Sequence, residues 1–171
     1  PMKHRLLAMA LLVASTVSQA GDLNVNVAIP QLNVAEYHRP YVALWIEQPN
    51  QQFVANLAVW YDLKKRDNGG TKWLKDLRQW WRKSGRELQM PVDGVSGATR
   101  GVGQHQVVFK GTDTPLKTLA AGSYQLVIEA SREGGGRELL RVPFDWPAKK
   151  AVQSSAQGQE ELGKVTLSLK P

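Results

Sequence analysis

About seven short runs of apolar residues, separated by turn-forming residues, constrain this chain more than any other feature. In the first, Leu23, Val25, Val27 and Ile29 alternate with Asn24, Asn26 and Ala28, and Pro30 stops the run. A period of two is that of a β-strand with one buried face. Residues 41–47 and 53–61 read as two further strands, joined by a hairpin through Gln48, Pro49 and Asn50. Residues 104–109, 123–130, 138–146 and 162–169 complete the set. Residues 132–136 predict a hairpin turn, and Pro143 predicts an edge strand or a bend, because proline cannot donate to a ladder. No βαβ alternation appears, so the expected fold is mainly β, an antiparallel sandwich.

One segment breaks this pattern. Residues 71–84 predict a helix that Gly85 stops. At about 100° per residue, Trp73, Leu74, Leu77, Trp80 and Trp81 share an arc of about 120°, with Lys72, Lys75, Arg78 and Arg82 opposite. The aromatic face is expected to anchor the helix to the sandwich. Trp73, Trp80 and Trp81 are also candidates to shield a flat ring by stacking. Trp45 and Trp60 are expected in the core, while Tyr61 and Trp146, near strand ends, are left open. Residues 64–70 and 149–158 read as polar loops.

Targeting and composition narrow the function. Lys3, His4 and Arg5 form a basic head, residues 6–13 an apolar run too short to span a bilayer, and Ser18-Gln19-Ala20 a small-x-small site. Residues 1–20 therefore read as a secretory signal peptide. The mature chain is expected to be periplasmic, a single domain over 21–171 without a transmembrane segment. There is no cysteine, which excludes disulfides, thiol chemistry and thiolate metal sites. Without Lys3 and Arg5, twenty basic residues face fifteen acidic ones, a net charge of about +5. That balance suits an acidic protein partner or an anionic surface, and solubility alone also accounts for it. The exported destination and the scattered basic residues argue against nucleic acid.

The most chemically specific stretch lies in a predicted loop, residues 92–103. Val92-Asp93-Gly94-Val95-Ser96-Gly97-Ala98-Thr99-Arg100 leaves almost no side-chain bulk around Thr99. A hydroxyl on an uncrowded loop, with an acid and a guanidinium near it, suits a phosphoester. The acid can help hold a metal and the guanidinium can pair the phosphate. The alternative is an ordinary Gly-rich turn.

Asp-x-x-Ser-Gly-Ala-Thr resembles the flavinylation motif of covalent FMN proteins, such as the C subunit of the sodium-pumping NADH:quinone reductase and the corresponding subunit of Rnf-type ion pumps. The resemblance implies FMN esterified through its phosphate to Thr99 by an FAD:protein FMN transferase that uses magnesium. Asp93, Ser96, Gly97 and Ala98 complete the recognised motif, with Asp93 more suited to the attaching step than to the redox step. Arg100 is expected to offset the phosphodiester charge. Across most of the mature chain, the blocks at 41–47, 57–61, 72–74, 80–82 and 92–100 resemble a bacterial periplasmic family, domain of unknown function 2271. Its members are typically encoded beside PepSY-type membrane proteins and FMN transferases, often near iron-uptake functions. Relatives tend to have a His where this chain has Gly134. Ala121-Gly122-Ser123-Tyr124 is similar to the strand starts of immunoglobulin- and fibronectin-like modules.

Together these imply a periplasmic electron-transfer flavoprotein, a redox carrier rather than a turnover enzyme. It would take electrons from a PepSY-type membrane reductase and pass them to an extracytoplasmic acceptor such as iron. The alternative is a flavin-free sandwich that docks to a membrane or metal-uptake partner. Three further readings are weaker. Asp93, Ser96 and His105 make a hydrolase triad on paper, but Ala98 replaces the last Gly of Gly-x-Ser-x-Gly. His38 and His105, the two histidines of the mature chain, make a poor transition-metal pair, and His105 is expected on a strand surface. The basic residues at 72–82 read as a solvated face or as a docking patch for an acidic redox partner.

Overall fold

A computed structural model describes residues 21–171. The signal-peptide reading of residues 1–20 lies outside them. Nine strands form two sheets. In chain order they are β1 Leu23–Ile29, β2 Tyr41–Glu47, β3 Phe53–Tyr61, β4 Ser96–Ala98, β5 Gly103–Phe109, β6 Gly122–Ser131, β7 Arg137–Trp146, β8 Val152–Gln157 and β9 Lys164–Leu169. One sheet has the order β5-β1-β9-β8 and the other β4-β3-β2-β6-β7. Every pairing is antiparallel except β3 with β4.

The alternation in the sequence becomes the core. Leu23, Val25 and Val27 of β1 and Val165, Leu167 and Leu169 of β9 face Val42, Leu44 and Ile46 of β2 and Leu126 and Ile128 of β6. This face-to-face packing makes the sandwich. Each such side chain contributes on the order of 1.5–3 kcal/mol by leaving water. Pro143 sits in β7, at the edge of its sheet, as its missing donor requires.

Two expected loops contain strands. Val152–Gln157 pairs along β9 as an edge strand. Its side chains are mostly exposed, so backbone hydrogen bonding rather than apolar burial holds it. Ser96–Ala98 adds a three-residue parallel edge beside β3. Small side chains allow this close approach: a Cβ on Gly97 would sit 3.4 Å from the Trp60 ring.

The expected single helix at 71–84 is instead two pieces. A 3₁₀ stretch, Arg66–Asp76, is kinked at Asp67 and Asn68, whose φ values are 54° and 55°. Leu77 (φ −75°, ψ 74°) leaves helical geometry, and the α-helix α1 covers only Arg78–Lys83. The break has a tertiary cause. The carboxylate of Glu129, buried on β6, accepts the backbone N–H groups of Gln79 at 3.0 Å and Trp80 at 2.9 Å. Those amides belong to the first turn of α1, where no carbonyl precedes them in the helix. Leu74, Leu77 and Trp80 then pack on Tyr41, Ala43, Trp45, Val59, Tyr61 and Val127, forming a second core on the outer face of the five-stranded sheet. Trp73, expected on the same face, is turned outward and is 40% exposed.

Candidate functional site

The five-stranded sheet gathers one set of strand ends. Tyr41 opens β2, Ser131 pairs with it at the end of β6, and Arg137 opens β7 opposite Ser131. Tyr61 ends β3 and Ala98 ends β4 beside it. Around these ends lies an open cavity of about 680 Å³. Thr99 lines it, with Tyr37, His38, Arg39, Tyr41, Asp62, Trp73, Asp76, Arg78 and residues 131–137.

The two hydroxyls of the motif have different duties. Ser96 Oγ accepts the Val92 N–H at 2.8 Å, while the amides of Val95 and Ser96 bond to the Val92 carbonyl at 3.1 and 2.9 Å. Ser96 thus ties the turn before β4. Gly94, at φ 73°, supplies the left-handed residue inside that turn. The Thr99 N–H donates to the Tyr61 carbonyl at 3.2 Å, fixing its backbone to the end of β3. Among the described residues no hydrogen bond engages the Thr99 hydroxyl, and the side chain is half-buried at the cavity.

The other motif residues are placed elsewhere. Asp93 is exposed and, with Ser96, borders a separate shallow depression with Leu63, Pro91, Val92 and Gly94. Gly97 and Ala98 belong to β4. The Arg100 guanidinium stacks 4.2 Å from the Trp60 ring centre, a cation–π contact outside the lining of the larger cavity. Of the six motif residues named from the sequence, Thr99 alone lines that cavity. The paper triad is not assembled: Ser96 Oγ bonds to Val92, while His105 Nε2 lies 2.6 Å from the Gly101 carbonyl. His105 is half-buried and edge-on to Trp60 rather than a free surface residue.

The cavity's other polar and charged groups come from segments outside the motif loop. Arg132 forms a buried two-point pair with Glu161, at 2.9 and 3.2 Å, and Glu161 also accepts the Gly136 N–H at 2.9 Å. That staple fixes the β6–β7 turn, in which Gly134 has φ 67°. Arg137 Nη1 donates to Glu129 at 2.7 Å. Arg39 and Arg78 line the cavity exposed and without an ion pair among the described residues. His38 lies between Glu36, at 3.4 Å, and Glu133, at 3.7 Å. The Tyr41 hydroxyl donates to the Gly70 carbonyl at 2.8 Å, and burial raises its pKa to about 12. Burial also raises the pKa of Tyr37, against the pull of the Arg132 guanidinium. The Tyr37 hydroxyl is buried without a hydrogen-bond partner among the described residues. A signal for this region was present in the loop run Tyr37-His38-Arg39 and in the charged turn Arg132-Glu133, but neither carries a spacing that names a chemistry.

A family model described as a predicted periplasmic protein, DUF2271, matches residues 22–164. The chain belongs to this family. The protein is periplasmic, as the family description states. No curated protein and no solved structure matches it. Among the described residues no helix is long and apolar enough to cross a membrane.

These residues fit an FMN group on Thr99. The volume lies within the range of about 300–1,000 Å³ usual for ligand sites. Trp73, 40% exposed on the cavity wall, offers a ring face for a flat heterocycle. Arg39 and Arg78 offer unpaired positive charge for a phosphate. The orphaned Tyr37 hydroxyl offers a hydrogen bond that the protein itself leaves unmade.

Proposed function

We propose that the protein is a periplasmic flavoprotein carrying FMN on Thr99 Oγ and relaying electrons. One contrast carries the reading. In a motif with two hydroxyls, Ser96 Oγ is committed to its own turn, while the Thr99 hydroxyl makes no hydrogen bond among the described residues and Thr99 borders the cavity. Attachment by an FAD:protein FMN transferase would break the pyrophosphate of FAD and form a Thr99 Oγ–phosphorus ester. AMP would leave, and the hydroxyl proton would pass to a base of the transferase. Asp93, exposed in the turn before β4 and bordering the separate depression, is available to that enzyme rather than to the cavity. The flavin would supply the electron chemistry when bound. The chain's residues would hold and shape its site: Trp73 would stack on the ring, Arg39 and Arg78 would take the charge role first expected of Arg100, and the sandwich, of the immunoglobulin-like class that the 121–124 run resembles, would be the rigid frame. Electrons would come from a PepSY-type membrane reductase and leave to an extracytoplasmic acceptor such as ferric iron.

Coexpression with an FMN transferase tests the proposal. Flavin absorbance that stays with the polypeptide after denaturation is the expected result. A colourless product favours a flavin-free binding module instead.

A further inference from the structure

The charge of this protein is concentrated in one place. Between residues 64 and 86 there are nine basic residues and two acidic ones, a net of +7. The whole chain also has a net charge of +7, so the remainder is balanced. This segment is the cover over the outer face of the five-stranded sheet. Its inward side chains, Leu74, Leu77 and Trp80, are buried, and the backbone around α1 is pinned by Glu129.

Three of the nine cations have local partners. Lys83 reaches Glu47 at 3.8 Å, Arg86 reaches Glu87 at 3.5 Å, and Lys72 lies 5.3 Å from the Trp73 ring centre. The other six, Lys64, Lys65, Arg66, Lys75, Arg78 and Arg82, are exposed and unpaired among the described residues. Like charges held this close repel one another, so the arrangement costs stability unless something neutralises it. The same element reaches the cavity: Trp73, Asp76 and Arg78 line its wall.

We infer that this cover is the docking surface for an acidic protein, which sits over the cavity mouth. The partner's redox role rests on the flavoprotein reading; the docking itself does not. A lipid surface fits less well. Interfacial elements insert a broad apolar face, whereas here the apolar side chains point into the core and Trp73 is the exposed exception. Complementary charge of this kind chiefly raises encounter rate, which suits repeated short contacts between redox carriers.

The test uses the protein purified from the periplasm, isotope-labelled and titrated with a decaglutamate peptide at low salt. Shifts should concentrate on residues 64–86 and the Trp73 indole and vanish at high salt. The triple variant Lys75→Glu, Arg78→Glu, Arg82→Glu should bind about tenfold or more weakly. The control Lys149→Glu, Lys150→Glu, Lys164→Glu should bind like the wild type, and circular dichroism should show both folded. Thr99→Ala should bind like the wild type, which separates failure of docking from failure of flavin attachment. Scattered shifts, equal losses in both triple variants, or binding only to phosphatidylcholine–phosphatidylglycerol (3:1) vesicles overturns the inference.

Discussion

Glu129 Oε1 accepts the backbone N–H of Trp80 at 2.9 Å, across 49 residues of sequence and with the carboxylate fully buried. The second oxygen takes the Gln79 amide and Arg137 Nη1. One acid thus joins the cover segment, the central sheet and the edge strand β7. Glu129→Leu would leave two amides and a guanidinium without that acceptor. We expect a loss of about 3–5 kcal/mol in urea unfolding, together with faster amide exchange across 78–83. Unchanged exchange there would mean that packing alone holds the cover.

Trp73 and Trp80 are seven residues apart in a segment that looks uniformly amphipathic, yet they do different work. Trp80 is fully buried and its indole N–H donates to Asn56 Oδ1 at 2.9 Å. Trp80→Ala should cost about 3–5 kcal/mol. Trp73→Ala should change stability by less than about 0.5 kcal/mol, as for an exposed side chain. On flavin-loaded protein it should raise flavin fluorescence, because a stacked indole quenches the excited ring. Fluorescence that rises in neither variant places the ring away from both.

The sequence made the strands legible and left the cover and the site obscure, for identifiable reasons. The seven runs that became β1, β2, β3, β5, β6, β7 and β9 each carry enough apolar residues to declare a buried face. Val-Gln-Ser-Ser-Ala-Gln does not, since an edge strand can rest on backbone bonds alone. Ser96–Ala98 is a strand only because β3 offers an open edge beside it. The break at Leu77 depends on a carboxylate 49 residues beyond Trp80 in the sequence. The cavity joins residues near 37, 62, 73, 99 and 132, so no local window contains it. The motif that ends in Thr99 was readable because it is short and contiguous; the residues that the cavity sets beside it were not.

Tyr41 gives a pH dependence with a definite sign. Burial raises its folded pKa to about 12, above the ordinary tyrosine value of 10.0. The neutral phenol is therefore favoured by folding, and its stabilising contribution is complete below about pH 10. It is lost as pH climbs from about 10 to about 12, where the unfolded chain ionises and the folded one does not. Phenolate absorbance should show one late-titrating tyrosine approaching pH 12 that is missing in Tyr41→Phe. A Tyr41→Phe variant that keeps the late component would assign it elsewhere, Tyr37 first.

Ser96 and Thr99 separate shaping from attachment. Ser96→Ala removes the acceptor for the Val92 amide, and a loss of about 1 kcal/mol is expected, with slower but continuing flavin loading. Thr99→Val keeps the side chain's shape, removes the nucleophile and should abolish loading at unchanged stability. Loading rates under one transferase concentration compare the two; equal effects would mean that the motif acts only through loop shape.

Intact-mass spectrometry of the protein from its native periplasm tests the central claim most directly. The account predicts an excess of about 440 Da, one FMN phosphoester, that is absent in Thr99→Ala. An unmodified native polypeptide, or an excess that survives in Thr99→Ala, would contradict it.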